Sequence, residues 1–525
     1  MVVWLRFRRR QRGREVQGIM GEKIGRGFDN ALYIEQQSAE IIRRTERFGK
    51  LYIEVGGKLF KDLHAARVLP GFDPDVKIRM LQKLKDRIEF IVCIYAGDVE
   101  HRKHRADTGT TYDNEVLCLI DEVRKWGFLV RAVVMTRFDP SMKVAAGFAN
   151  KLRHLGIEVK THGVIKDFLT DIDHTLSPCG CGQNEFVETD RPIVVVIGPG
   201  PSSGKLSTCF NQLYHEHQLG HRAGYAKYET FPVWNLPLKH PVNIAYEAAT
   251  ADLGDINLVD TYHLAAYGVE AINYNRDLEA FPVLRSLLAR VMGEDAYRSP
   301  TDMGVNRVGF AITDDAAVRK AAGQEIVRRH FQAACDAMDG RDDEGPLKRI
   351  DGLMAALELE ETDRVVVAPA RVAAENAQRL GKGYLGIFAG AAIQLRDGTI
   401  LTGRNSPMMH AASSMILNAL KYLAGLPDWL HLIPETYTRS IMDMKSQTFH
   451  QTASNLDVAE LLIALGISAA NSNAVERAVD KLVELRGCDV HLTHMVSDGD
   501  AAGLRRLGVS MTCDPQFPTK NLVVE

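Results

Sequence analysis

VVVIGPGPSSGKLSTCFNQLYHE, residues 194–216, is the stretch that sets the fold class. A run of valines and isoleucine ends in a loop carrying Gly198, Gly200, Ser202, Ser203 and Gly204, and from Lys205 the apolar residues recur at helical spacing. A continuously apolar strand, as opposed to an alternating one, belongs in a parallel sheet covered on both faces. The loop has the parts of a phosphate cradle: glycines that free backbone N–H groups, the positive end of a helix, and a lysine ammonium. Its spacing departs from G-x-x-x-x-G-K-[ST], because Pro199 stands at the first glycine position and Leu206 where a Mg-binding hydroxyl belongs. Either the loop is one residue longer, with Ser207 or Thr208 holding Mg beside a nucleotide, or it binds a phosphate or other anion without hydrolysing a nucleotide. A purely structural turn is the third alternative.

Outward from this stretch the alternation repeats. LYIEV (51–55), FIVCIYA (90–96), FLVRAVVMT (128–136) and IEVKTH (157–162) have strand character, and 75–86, 113–125 and 142–155 repeat apolar residues at helical spacing. The turn-rich segment TLSPCGCGQNEFVET (175–189) predicts a boundary, so 27–175 is expected to be one α/β domain and 190–338 a second that contains the loop. AGYAKYETF, DINLVD and GVEAINY continue the strand pattern up to a long helical run at 314–338. After the charged stretch DGRDDEG (339–345), residues 346–525 predict a smaller α+β domain. It begins with a strand at DRVVVAP (363–369), has a hairpin around Asp397-Gly398 and ends with the strands CDVHLTH and GVSMTCD. The expected class is therefore α/β, with Rossmann-like or P-loop-like parallel layers in the N-terminal two thirds and the α+β domain behind them.

Candidate chemistry concentrates near predicted strand ends, where open α/β sheets bind ligands. YAKYETFPVWNLPLKHPVNIAYEAATADLGD (225–255) supplies Lys227 for substrate binding and Glu229, His240 and Asp252 for acid–base work. Arg276 in NYNRD and Asp302 in SPTDMGVN are further substrate-binding candidates. In the first domain Gly56-Gly57-Lys58 follows a strand and suits an anion, with His64 and Arg67 close behind and RKHRADTGTTYD (102–113) as a basic rim. Asp171-Ile172-Asp173-His174-Thr175 imitates an aspartyl-phosphate motif, but the residues before it make a poor buried strand. Cys179-Gly180-Cys181, His215-Glu216-His217 and His491 with His494 lack the further ligands a metal site needs, so no metal ligand set is expected.

Across 525 residues, 46% hydrophobic and 25% charged with a net charge of -3, the composition is that of a folded globular protein and gives no global electrostatic case for nucleic acid. Eight scattered cysteines predict reduced thiols and a cytoplasmic location, and no apolar run is long enough to span a membrane. The arginine-rich residues 1–20 read as a disordered basic tail ahead of a natural start at Met20.

Taken together, FGKLYIEVGGKLFKDLHAARVLPGFDPD, IGPGPSSGK, QLYHEH, GYAKYETFPVWNLPLKHPVNIAYEAATADL, NYNRD and SPTDMGVN resemble the bacterial domain of unknown function 1846 family, from about Gly27 to the C-terminus. The resemblance implies no particular reaction. An ATP-dependent peptidase label used for some members finds no support in residues that contain neither H-E-x-x-H nor a nucleophile elbow. AGAAIQLRDGTILTGRNS (389–406) is similar to the core hairpin of cytidine-deaminase-like domains, but the P-C-x-x-C those enzymes need is missing, which implies scaffolding or ligand binding without zinc.

The functional expectation is a phosphate-recognising cytoplasmic enzyme acting on a nucleotide or phosphorylated small molecule, of phosphoryl- or nucleotidyl-transfer or NTP-dependent type. Mg and a nucleotide are its candidate cofactors, and a homo-oligomer without nucleic-acid or membrane partners is its expected state. The alternative is a non-catalytic nucleotide or metabolite sensor or scaffold, favoured by Leu206.

Overall fold

The computed structural model describes residues 18–20, 25–105, 109–168, 170–341 and 344–519. The chain forms two compact units, Arg26–Ala322 and the combination of Met1–Gly25 with Gly323–Glu525. Its first described strand, Ile19–Met20 (β1), belongs to the second of these.

Arg26–Ala322 is organised by one six-stranded sheet of Leu51–Val55 (β2), Ile88–Tyr95 (β3), Leu129–Thr136 (β4), Val159–Thr161 (β5), Ile193–Ile197 (β6) and Gly224–Tyr228 (β7). The order is β5-β4-β3-β6-β2-β7, and every neighbouring pair is parallel. All five residues of β6 are buried, as its unbroken apolar run requires. Burying each such side chain contributes roughly 1.5–3 kcal/mol before the entropy of ordering is counted.

The sheet corrects the expected division into two α/β domains. β6 lies between β3 and β2, with Val195 opposite both Phe90 and Ile53, so 27–175 and 190–338 share one sheet. Residues 175–189 are a surface crossover, pinned where Gln212 accepts from Val187 N at 3.0 Å and returns a bond to Val187 O at 2.7 Å. Turn formers signalled a loop there, and a loop is not by itself a domain boundary. DINLVD and GVEAINY do not extend the sheet; Asn257–Val259 (β8) and Ile272–Tyr274 (β9) form a separate antiparallel pair.

Strand order fixes the place of the site. β3 leads on to β4 on one side, while its neighbour β6 leads on to β7 on the other. Such a reversal between adjacent parallel strands opens a crevice beyond their C-terminal ends. Residues 198–204 follow β6 there.

In the second unit the sheet order is β1-β11-β10-β12-β13, with Gly390–Gln394 (β10), Thr399–Arg404 (β11), Asp489–Leu492 (β12) and Ser510–Cys513 (β13). β10 and β11 form the expected hairpin, with Gly398 at φ 92° and Asp397 Oδ1 accepting from Thr399 N at 2.9 Å. β1 pairs antiparallel with β11, Ile19 opposite Ile400 and Met20 opposite Thr399. The expected tail therefore ends in an edge strand that satisfies backbone groups of β11; its residues 1–17 lie outside the described residues. The strand expected at DRVVVAP is absent: Glu361–Asp363 is a 3₁₀ turn and Val367–Arg379 a helix, with Val367, Ala370 and Ala377 buried at helical spacing. A three-valine run carries both patterns, and here the helical period of the residues after it prevails. Among the described residues, no helix is long and apolar enough to cross a membrane.

Candidate functional site

The loop after β6 is a tight turn built from its own backbone. Ser202 at φ 57° and Gly204 at φ 90° are left-handed, and a β-carbon at Gly198 or Gly204 would overlap Ser203 or Thr136 respectively. Its carbonyls turn toward the protein: Thr136 Oγ1 donates to Ser203 O at 2.9 Å and Arg137 Nη2 to Ser202 O at 2.5 Å. Lys205 Nζ donates to Gly200 O at 3.2 Å and Ser203 Oγ at 3.4 Å, which folds the ammonium back over the loop. Pro201 and Ser202 form a hydrogen-bonded turn, and among the described residues the backbone N–H groups of Gly200, Ser202 and Gly204 meet no acceptor. Amides of this kind at the start of a helix, here Lys205–Gln218, are able to take an anion.

The two metal-ligand candidates are otherwise engaged. Thr208 is fully buried, and its Oγ1 accepts from Cys93 Sγ on β3 at 3.3 Å. Ser207 Oγ donates to Gly204 O at 2.9 Å, the hydrogen bond of a helix's first turn. Thr208 is thereby withdrawn against β3, whereas Ser207 gives only its proton to Gly204 O and keeps its oxygen lone pairs.

Two strands away, β7 ends in the second cluster. Lys227 Nζ lies 2.6 Å from Asp277 Oδ2 and 3.0 Å from Glu229 Oε2. Lys227 pairs in register with Glu54 of β2, which accepts from Tyr225 OH at 2.6 Å. Burial raises the Glu229 carboxyl, and Asp277 and Glu54 add to that against the pull of Lys227, leaving it at about 7. Burial works against the Lys227 ammonium, but Asp277, Glu229 and Glu54 outweigh it and hold its pKa above the ordinary lysine value. A carboxyl poised near neutrality beside a fixed ammonium is suited to move a proton. It borders a recess of about 40 Å³ lined by Phe231, Trp234 and Asn273 among others.

Between loop and cluster lies the end of β2. Gly56 sits under Glu229, where a β-carbon would overlap its carboxylate, and Gly57 at φ 67° opens onto free space. β6 and β7 are two inter-strand spacings apart, roughly 10 Å, and of the two glycines between them Gly56 is covered by Glu229 while Gly57 is open. Lys58 follows Gly57 and is exposed. The His64 ring stands edge-on to Phe231 at 5.2 Å and to Tyr246 at 5.5 Å. Arg67 follows it, partly buried, in the same helix, Leu63–Val68.

The fold thus brings together Gly56, Gly57, Lys58, His64, Lys227, Glu229 and residues 198–205 at one sheet edge. Other candidates fall elsewhere. His240 caps helix Pro241–Ala249 with Nδ1 accepting from Val242 N at 3.2 Å, while Nε2 meets Asp315 at 2.9 Å, so both ring nitrogens have structural duties. Burial lowers its pKa, against the pull of Asp315. Asp252 is exposed on the 3₁₀ turn Ala251–Leu253. Arg276 forms a bidentate pair with Asp255 at 2.5 and 2.8 Å. Asp302 accepts from Tyr267 OH and Arg298 N, each at 3.1 Å. The density of polar residues in 225–255 is in part helix capping. Glu216 of His215-Glu216-His217 is likewise held by Lys50 at 2.5 Å and Tyr52 at 2.7 Å.

Sequence reading missed Arg137 and Asp277. Arg137 is left-handed at φ 51° directly after β4, and its guanidinium lies 3.5 Å from the Tyr95 ring centroid beside the loop. Its place after a buried strand was the available signal. Asp277 stands next to Arg276, the residue chosen in that motif, and faces the recess in its place.

The family model described as domain of unknown function DUF1846, N-terminal, matches residues 26–358, and the corresponding C-terminal model matches residues 362–523. A UPF0371 protein of Corynebacterium diphtheriae is 50% identical over 499 residues, covering 94% of this chain and 98% of that one. UPF0371 proteins of Clostridium botulinum strain Alaska E43 and of Clostridium tetani are each 48% identical, over 497 and 501 residues, with 94% of this chain and 99% of theirs covered. Both units, the one with the parallel sheet and its glycine-rich loop and the one with the mixed sheet, fall within these matches, and the chain belongs to the DUF1846 family.

Proposed function

We propose that the protein is an enzyme acting on a small phosphorylated molecule, with the phosphate held by residues 198–205 and the proton moved by Glu229. The observation that carries this is the set of unpartnered amides at Gly200, Ser202 and Gly204 beside Lys205, at the reversal point of the sheet. Lys205 would leave Gly200 O for a phosphate oxygen, and Arg137 would close the rim from β4. Glu229, with Lys227 and Asp277, faces the same edge and supplies acid–base capacity that a pure sensor does not need. The full burial of Thr208 against Cys93, together with Leu206 at the position of the usual Mg-binding hydroxyl, favours an anion bound without Mg over a Mg–nucleotide. This is the non-hydrolysing alternative for the loop.

The eight free thiols support a cytoplasmic location. A homo-oligomer is supported by the exposed apolar side chains Leu253, Ile256, Leu258, Leu264, Tyr267 and Val269 around the β8–β9 pair. Calorimetric titration of inorganic phosphate and of ATP, each with and without Mg, tests the site. Binding of both, unchanged by Mg and mutually competitive, is expected; binding only with Mg would replace the phosphate cradle with a nucleotide site, and no binding would remove the proposal.

A further inference from the structure

Two cysteines far apart in the chain meet inside the second unit. Cys335 lies in the last turn of helix Asp315–Met338, one turn after Phe331, so the two side chains share a face of that helix. The Phe331 ring packs on His491 of β12 at 4.8 Å, and a turn later Cys335 Sγ reaches Cys513 Sγ, on the neighbouring strand β13, at 3.5 Å. The chain is held firmly at that point. Arg371 Nε and Nη2 donate to the two carboxylate oxygens of Asp514, the residue after Cys513, at 3.2 and 2.6 Å, and Asp514 N donates to Leu492 O at 2.9 Å.

A lone buried cysteine is a small apolar side chain, whereas two thiols in contact are a dithiol. The two sulfurs differ in character. The Cys335 thiol and Val496 N–H both donate to Cys513 Sγ and hold the Cys513 thiol below its ordinary value, against the effect of burial. The same hydrogen bond, together with burial, pushes the Cys335 thiol up. Cys513 is therefore the sulfur that ionises first, and the thiolate is the form that reacts with oxidants. A disulfide needs about 2.0 Å between sulfurs, so the pair has about 1.5 Å to close, which small rotations about χ1 of both residues supply. Cys335 is 6% and Cys513 8% exposed, and β13 is an edge strand, so brief fraying of that edge opens the pair to a small oxidant.

We propose that Cys335 and Cys513 form a reversible disulfide, with hydrogen peroxide as the oxidant, that fastens edge strand β13 to the last turn of helix Asp315–Met338. The Cys513 thiolate attacks one peroxide oxygen, the O–O bond breaks, the other oxygen leaves with a proton as water, and Cys513 becomes a sulfenic acid. Cys335 then loses its proton and attacks the Cys513 sulfur; the S–O bond breaks and the sulfenic oxygen leaves as water. In sum, two thiols and one hydrogen peroxide give one disulfide and two waters, the sulfurs giving up the two electrons that the peroxide takes. In a reducing compartment the pair rests as free thiols and links under oxidant load. Both cysteines belong to the second unit, so the inference stands apart from the phosphate loop.

The test treats the reduced full-length protein with hydrogen peroxide, alkylates the remaining thiols and maps disulfides by mass spectrometry, while amide hydrogen exchange is followed over residues 510–513. A peptide linking Cys335 to Cys513, lost on treatment with dithiothreitol, is expected. Exchange at 510–513 should slow by about tenfold or more in the linked form. In Cys335→Ser the sulfenic acid on Cys513 lacks its partner and should be captured by dimedone; in Cys513→Ser, Cys335 should not be captured. The exposed Cys118 and Cys179 report that oxidant was present. Their oxidation without a 335–513 link in the wild type would overturn the proposal whatever the variants do. Capture at Cys335 in place of Cys513 would overturn the order of the two steps, and unchanged exchange in the linked form would overturn the fastening of β13.

Discussion

The Glu229 carboxylate lies directly over Gly56, so close that a β-carbon at position 56 would overlap it. The contact joins the ends of β7 and β2 and requires one partner to have no side chain. Gly56→Ala is expected to push Glu229 out of its place beside Lys227 and cost about 1–3 kcal/mol of overpacking. The unit should remain folded, with a lowered melting temperature and a changed Glu229 titration. An unchanged titration by carboxyl NMR would show that the contact does not position Glu229.

Electrostatic control of Glu229 gives a pair of opposite effects. Its carboxyl stands at about 7 because burial, Asp277 and Glu54 outweigh Lys227. Replacing Lys227 with methionine removes the cation that favours the carboxylate, so Glu229 should titrate above pH 7. Asp277→Asn removes a like charge and should bring it below. With Glu229 as the base, turnover should rise with pH through about 7 in the wild type. Shifts in the same direction for both variants would contradict this.

Acid stability should show the arginine clamp on Glu40. Burial raises that carboxyl, but hydrogen bonds from Arg43, Arg44 and Arg307 overcome it and hold it at about 2, below its ordinary 4.5. A depressed acid stabilises the fold at pH above 4.5, and the contribution is lost as pH falls from 4.5 toward 2. Glu40→Gln leaves Arg44, only 5% exposed, without its carboxylate and should cost about 3 kcal/mol at neutral pH. Denaturant titrations at pH 7 and pH 3 check this: the mutant's deficit should shrink at the lower pH.

In the second unit, Arg364 is 1% exposed and donates to Thr512 Oγ1 and Asp489 Oδ1, each at 3.0 Å, and to Ser510 O at 2.8 Å. It joins β12 to β13 from a segment expected to be a strand. Arg364→Ala should destabilise this unit by about 3–5 kcal/mol, since it strands buried acceptors. A melting curve indistinguishable from wild type would contradict that.

What could be read from the sequence followed from local pattern. The apolar run 193–197, the turn at Asp397-Gly398 and the glycines before Lys205 each carry a periodicity or a backbone demand that their neighbours confirm. Strand order is not local: nothing in residues 190–200 states that β6 inserts between β3 and β2, so one sheet was divided into two domains. Asp277 reaches Lys227 only because the helix after β9 returns to the end of β7. His240 misled for the opposite reason. A histidine between prolines in a polar stretch resembles a site residue, and here the same setting is a helix N-cap.

The most direct measurement of the central claim is the position of a heavy oxyanion in crystals grown or soaked with tungstate. The expected result is an anomalous peak within hydrogen-bonding distance of the amides of Ser202 and Gly204 and of Lys205 Nζ, abolished in Lys205→Ala crystals of the same form. A protein with tungstate bound elsewhere and residues 198–205 empty, or a peak indifferent to the loss of Lys205, would contradict it.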